Sequence, residues 1–277
     1  ATQVTADLTI KWLEEIRDTE KPFMLMMHNK APHRPWQPDI QDLGAYDSTD
    51  FPLPPNFYDD YKGRKAAELQ EMSIAADMTL DRDLKMGFDW TTRMSAPDRD
   101  AWNTYYDSVQ TAFDALHLSG NELAEWKYQR YMRDYLGCIN SVDRNVGRVL
   151  DWLEENGLLE NTIVIYTSDQ GFYMVEHGWF DKRFMYEESF RTPPLVRMPE
   201  GLRGTCSELV QNIDLASTFL DIANVPLPED IHGISMLPLL QGKTSGKHRD
   251  ALYYHYHEFP AEHTVRKHYG IRDQRYK

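Results

Sequence analysis

A long helical repeat that ends on a turn and passes directly into a short apolar run limits what this chain can fold into more than any other feature. Tyr128, Tyr131, Tyr135, Cys138, Val142, Val146, Val149 and Leu153 recur every three or four residues, which gives one helix a continuous apolar face. Asn156-Gly157 ends it, because glycine accepts the left-handed backbone that closes a helix. The run Thr162-Ile163-Val164-Ile165-Tyr166-Thr167 follows, short and rich in β-branched residues, and reads as a strand. Nearer the start, Leu8, Trp12, Leu13 and Ile16 keep helical spacing, and Phe23 to His28 forms a nearly unbroken apolar run expected of a strand covered on both faces. Strand, helix and strand in that order predict a right-handed parallel crossover, hence an α/β fold with a mostly parallel sheet flanked by helices.

In such sheets ligands sit beyond the carboxyl ends of the strands, and both predicted strands run into chemistry there. After the first come Lys30 and Pro32-His33-Arg34-Pro35-Trp36. After the second come Ser168-Asp169-Gln170-Gly171, Glu176-His177-Gly178, Asp181-Lys182, Tyr186-Glu187-Glu188 and Arg191-Thr192-Pro193-Pro194. A carboxylate and an amide oxygen beside a histidine and a lysine suit a divalent metal and an anionic ester. The same residue types also suit a charge-rich surface loop.

Charge narrows the partners. Asp and Glu number 44 against 30 Lys and Arg, a formal charge of -14, and that field repels polyanions, so nucleic acid is not an expected partner. An anionic substrate would need local cations to act within a Debye length of ~8 Å. No apolar stretch approaches ~18 residues, so no membrane-spanning helix is expected. The start, Ala1-Thr2-Gln3, shows no signal-peptide pattern. With two cysteines, Cys138 and Cys206, no disulfide framework can be read; Cys138 lies on the apolar helix face as a small hydrophobe.

Asp39 to Pro55 is rich in Pro, Asp and Gly and reads as an irregular excursion, while Tyr58 to Gly120 carries moderate helical signal. Asp214 is placed to cap a helix over Leu215 to Ala223, ended by Val225-Pro226-Leu227-Pro228. Beyond Gly233, Ala251 to His257 and Tyr269 to Tyr276 read as strands of a small antiparallel subdomain dense in histidine and arginine. The predicted division is therefore a catalytic α/β portion over 1–232 and the beginning of a C-terminal subdomain over 233–277.

The segment Ser168-Asp169-Gln170-Gly171 to Lys182 and Tyr186-Glu187, with Pro32-His33-Arg34-Pro35 upstream, resembles the metal and lysine segments of type I sulfatases of the alkaline-phosphatase superfamily. The runs Gly178-Trp179-Phe180-Asp181-Lys182-Arg183 and Thr192-Pro193-Pro194-Leu195-Val196-Arg197 are most similar to N-acetylglucosamine-6-sulfatases acting on mucin or glycosaminoglycan. The resemblance implies hydrolysis of a sulfuric ester on a sulfated carbohydrate. Asp169 and Gln170 would be calcium ligands, Gln standing where the family usually has Asn. Lys182 would hold a sulfate oxygen, and His33 would transfer a proton. Lys30 and His177 would lie near the substrate, and His263, His268 and Arg272 would read the sugar from the C-terminal subdomain. Arg191 is expected to pair with Glu187 or Glu188.

The family also requires a formylglycine made within a Cys/Ser-x-Pro/Ala-x-Arg motif, together with further metal-binding aspartates. Cys138 and Cys206 do not fit the motif; Ser95-Ala96-Pro97-Asp98-Arg99 does, but in the wrong order along the chain. This implies a C-terminal portion of a longer enzyme, inactive alone, whose remaining calcium ligands and formylglycine lie upstream in a missing N-terminal part. No Asn-x-Ser/Thr acceptor occurs, which suits a bacterial periplasmic or extracellular location. The alternatives are a phosphodiesterase or phosphonate monoester hydrolase of the same superfamily, and a non-catalytic fragment.

Overall fold

The computed structural model describes residues 1–87, 89–199, 203–243 and 247–277, in two compact units. One comprises Ala1–Gly157 with Tyr173–Asp181; the other comprises Leu158–Phe172 with Lys182–Lys277.

The first unit is built on three helices: α1 (Thr2–Lys11), α2 (Ala96–Asp114) and α3 (Gly120–Glu155). Helix α1 runs on through one wide turn, Trp12–Ile16, and packs on α3, burying Ala6, Thr9 and Leu13. Arg148 holds Asp7 at 2.6 Å and the Trp152 indole donates to Glu14 at 2.9 Å along the same seam. Helix α3 follows the predicted stripe: Tyr128, Tyr131, Cys138, Val142 and Leu153 are buried, and the chain leaves through Gly157 at φ +66. Burial pushes the Cys138 thiol up to about 12, in keeping with an inert core residue.

The periodicity did not show that α3 also buries charge. Arg130 and Asp134 are paired, the Lys85 ammonium meets Asp134 at 2.8 Å, and the Tyr106 hydroxyl donates to it at 3.1 Å. Each ion is compensated, which is the condition for tolerating charge in a core.

Phe23 to His28 departs from expectation. These residues form no ladder, and burial alternates between half-buried and exposed, with Met24 57% and Met26 63% exposed. Among the described residues its backbone joins no ladder, and its side chains are half-buried on one face and exposed on the other. The parallel crossover is likewise not formed: among the described residues every ladder is two-stranded and antiparallel. In the first unit, Tyr173–Met174 pairs with Phe180–Asp181.

Within the second unit, Val164–Tyr166 realises the predicted strand and pairs with Leu195–Arg197; Arg197 fastens that end through the Leu159 carbonyl and Glu160, both at 2.6 Å. Helix Asp214–Ile222 forms as expected, but Asp214 does not cap it. Its fully buried carboxylate accepts instead from the N–H groups of Gln211 and Ile234, both at 2.8 Å, and from Arg249, tying three segments together. The two C-terminal strands form an antiparallel pair, Leu252–Tyr256 with His268–Arg272, but the second stops short of the expected Tyr276, because Asp273 to Tyr276 folds into a turn in which the Asp273 carboxylate accepts from the Arg275 and Tyr276 N–H groups.

Candidate functional site

In the first unit, the Lys30 to Trp36 loop is held by its neighbours on either side of His33. The His33 N–H donates to the Lys30 carbonyl at 2.8 Å, closing a turn, and its Nδ1 lies 2.9 Å from the Arg34 carbonyl. Arg34 grips the fully buried Asp83 with two bonds, 2.5 and 2.8 Å, and lies over the Phe180 ring at 5.2 Å. Asp83 also accepts from the Thr79 N–H and hydroxyl. Trp36 is fully buried, edge-on to Tyr131 at 4.4 Å. Proline flanks and these anchors leave the His33 imidazole exposed on a loop whose neighbours are fixed.

His177 is anchored differently. Its Nδ1 meets Asp59 at 2.7 Å, its ring lies 5.1 Å from Trp179, and Asp59 is also held by Arg64. Burial works to raise the Asp59 pKa, but hydrogen bonds from Arg64, His177 and the Tyr61 N–H outweigh it and hold the carboxylate at about 2. An ionised partner of this kind fixes the tautomer and orientation of an imidazole.

In the second unit, Asp169 and Gln170 follow Val164–Tyr166 at the strand's end. The Ser168 hydroxyl donates to the Gln170 carbonyl at 2.7 Å, and Asn212 donates to the Asp169 carbonyl at 2.5 Å. The backbone is thereby pinned while the Asp169 carboxylate is exposed and the Gln170 side chain half-buried. Gly171 is required by space: a Cβ there would stand 2.2 Å from the Glu188 carbonyl oxygen and 2.7 Å from that of Arg191. Lys182 is half-buried, with its ammonium 5.9 Å from the Phe172 ring centre.

Further along, His268 is enclosed by Tyr254, Tyr256 and Phe184 at ring separations of 5.5, 5.4 and 5.7 Å. Its Nδ1 donates to the Arg266 carbonyl at 2.8 Å, and its Nε2 is buried with no hydrogen-bond partner among the described residues. His263 is buried. Arg272 is engaged with Glu187 at 3.1 Å, and Lys277 reaches the same carboxylate at 2.9 Å. Burial would raise Glu187's pKa, but these two cations lower it overall. The expected Arg191 pairing is corrected here: Arg191 is exposed, and the cations on Glu187 come from the C-terminal residues.

Asp169 and Gln170 are hard oxygen donors of the kind calcium takes, but two residues supply only part of a shell of about six to eight oxygens. Among the described residues no three His, Cys, Asp or Glu groups gather to hold an ion. The Ser-x-Pro-x-Arg match also has a plain explanation. Ser95 is the N-cap of α2, accepting from the Asp98 N–H at 3.3 Å and donating to its carboxylate at 2.7 Å, with proline in the first turn. Sequence reasoning missed Asp59, Arg64 and Asp83, which anchor the candidate residues. No local signal marks them, since Asp59 lies 118 positions from its histidine and Asp83 lies 49 from its arginine.

Comparison with known proteins fixes the class. The sulfatase family model matches residues 1–225, and that of the N-sulphoglucosamine sulphohydrolase C-terminal region matches 175–277. The chain belongs to the sulfatase family. An N-acetylglucosamine-6-O-sulfatase of Bacteroides thetaiotaomicron is 48% identical over 295 residues, covering 100% of this chain and 53% of that protein. An arylsulfatase of Clostridium perfringens is 29% identical over 83% of this chain and 40% of its own. A solved structure in complex with its substrate D-glucosamine-2-N,6-O-disulfate superposes with a TM-score of 0.93 at 47% identity, over 99% of this chain and 59% of that one. A phosphonate monoester hydrolase from Silicibacter pomeroyi, 20% identical with a TM-score of 0.63 over 94% of this chain and 46% of its own, shares the fold. The α/β class predicted from the sequence is thus that of its solved neighbours, and the chain spans about half the length of the N-acetylglucosamine-6-O-sulfatase it matches.

Proposed function

We propose that this chain carries part of the apparatus of a sulfuric ester hydrolase that releases sulfate from a 6-O-sulfated glucosamine sugar of mucin or glycosaminoglycan. The observation that carries the reading is likeness along the whole chain, at 47–48% identity, to an N-acetylglucosamine-6-O-sulfatase and to a structure holding a 6-O-sulfated glucosamine.

In this reading Lys182 holds a non-bridging sulfate oxygen and stabilises charge as the ester bond breaks. His33 moves a proton at the bridging oxygen or the nucleophile, a task suited to an exposed imidazole whose neighbours are fixed. Asp169 and Gln170 would give two oxygens to a calcium ion, which would supply positive charge against the ester. The nucleophile would be the family's formylglycine. Lys30 and His177 add cationic or hydrogen-bonding character near the anion, Asp59 orienting His177. His263, His268 and Arg272 shape the sugar-reading region, His268 through the aromatic rings that enclose it and Arg272 through Glu187. The location is periplasmic or extracellular, where sulfated polysaccharide is met, and the 1–232 and 233–277 portions divide ester chemistry from sugar reading.

The test is sulfate release from 6-O-sulfated glucosamine by the complete gene product. Lys182→Ala is expected to lower the rate by ~10²–10³, as for loss of one oxyanion donor. Near-normal turnover in that variant removes the assigned role. Faster turnover of an aryl phosphonate than of an aryl sulfate by the wild type favours the phosphonate hydrolase alternative.

A further inference from the structure

The C-terminal hairpin carries a pair of histidines that the sulfatase reading leaves unused. Side chains alternate across a strand, so Tyr253 and His255 share the outer face of Leu252–Tyr256, while Leu252, Tyr254 and Tyr256 turn inward; His257 follows immediately after the strand's last residue. His255 and His257 are both exposed, and their ring centres lie only 3.6 Å apart, inclined by 30°. Across the ladder, Tyr269 stands opposite His255 and Ile271 opposite Tyr253. The face is therefore bounded by apolar and aromatic side chains.

We infer that His255 and His257 together form a surface site for a borderline divalent transition ion, of the Cu²⁺, Ni²⁺ or Zn²⁺ class. Two imidazole nitrogens bound to one such ion at about 2.0–2.1 Å stand about 3 Å apart; the two rings already lie side by side, and rotation about their side-chain bonds turns one nitrogen of each toward a common ion. Standing two residues apart at the end of one strand, they are kept near each other by the backbone, which limits the entropic cost of bringing them together.

A neighbour helps set the tautomer. The Tyr253 hydroxyl lies 3.3 Å from His255 Nδ1. With Nδ1–H donating to that oxygen, the Nε2 lone pair faces outward, the arrangement common for imidazole ligands and their outer partners. No third protein donor joins the pair among the described residues, so water completes the coordination. Nitrogen donors select this ion class over calcium, which takes oxygen. The site is thus chemically distinct from the one formed in part by Asp169 and Gln170.

Untagged protein titrated calorimetrically with ZnCl₂, and separately with CuCl₂, tests the inference. One ion is expected to bind per chain, more tightly for copper than zinc. His255→Gln and His257→Gln are each expected to weaken binding at least roughly 10–100-fold, the range seen even for outer partners of a metal ligand. His232→Gln, at another exposed histidine, is expected to leave it unchanged. Binding that persists at wild-type strength in both hairpin variants, or that is lost in His232→Gln, overturns the assignment. Because the readout is heat of binding, its outcome is independent of whether the protein hydrolyses sulfate esters.

Discussion

The two units anchor their candidate residues by opposite means. In the first, His33 and His177 stand on segments with little or no strand structure, held by side chains: Arg34 on buried Asp83, Trp36 in the core, and Asp59 with Arg64 on His177. In the second, Asp169 and Gln170 are held through the backbone, by a short antiparallel ladder, an Asn212 bond to the Asp169 carbonyl, and close passage of the 188–191 chain over Gly171. Side-chain anchors concentrate stability in a few buried charges, whereas backbone anchors spread it over contacts that tolerate exposed side chains. Sensitivity to substitution should therefore fall in different places in the two units.

The sharpest way to break this contrast is Asp83→Ala. It strands the Arg34 guanidinium in a site where its side chain is 10% exposed, and is expected to cost about 3–5 kcal/mol, measured by denaturant unfolding. A loss below ~1 kcal/mol, the worth of a surface pair, would show that Arg34 reaches solvent and that the loop is anchored otherwise. Next in size, Gly171→Ala forces a methyl against the Glu188 and Arg191 carbonyl oxygens. It is expected to cost about 1–3 kcal/mol and to loosen the Asp169-Gln170 turn, visible as faster amide exchange at 169–171. Unchanged exchange would show that the backbone passage does not hold the turn.

Ser95→Ala removes the cap of α2 and is expected to cost about 1 kcal/mol with no effect on sulfate release. Loss of turnover without loss of stability would return Ser95 to candidacy as the nucleophile. The smallest effect is a pH dependence, because Arg64 is partly exposed and the pair is screened by salt. Asp59 is held below its usual 3.8, at about 2, so its contribution is complete above pH 3.8 and drains away as pH falls toward 2. Unfolding midpoints followed over that window should fall less steeply in Asp59→Asn than in wild type.

Periodicity made α1 and α3 legible, because burial of one helix face requires apolar residues every three or four positions. The paired C-terminal strands and the strand at Val164–Tyr166 were legible from local alternation and β-branching. Phe23 to His28 was misread, since an apolar run states that a segment avoids water without stating whether a ladder partner exists. In the site, oxygen donors, histidines and a lysine were visible as residue types in a familiar order, while Arg34–Asp83 and His177–Asp59 were not, because neither pair leaves any trace within its own stretch of sequence.

Taken alone, the order of residues determined the family and the long helix with its stop at Gly157, and it set out the candidate residues for handling an anionic ester. Tertiary structure decided which of those side chains are free and which are tethered: Arg272 and Lys277 on Glu187, Asp214 as a three-way tie instead of a cap, and Ser95 as a helix start. The physical reason is range. Propensity and periodicity act over a few residues, whereas a buried charge must find its counter-ion wherever the fold brings one, and that choice exists only once the chain has packed.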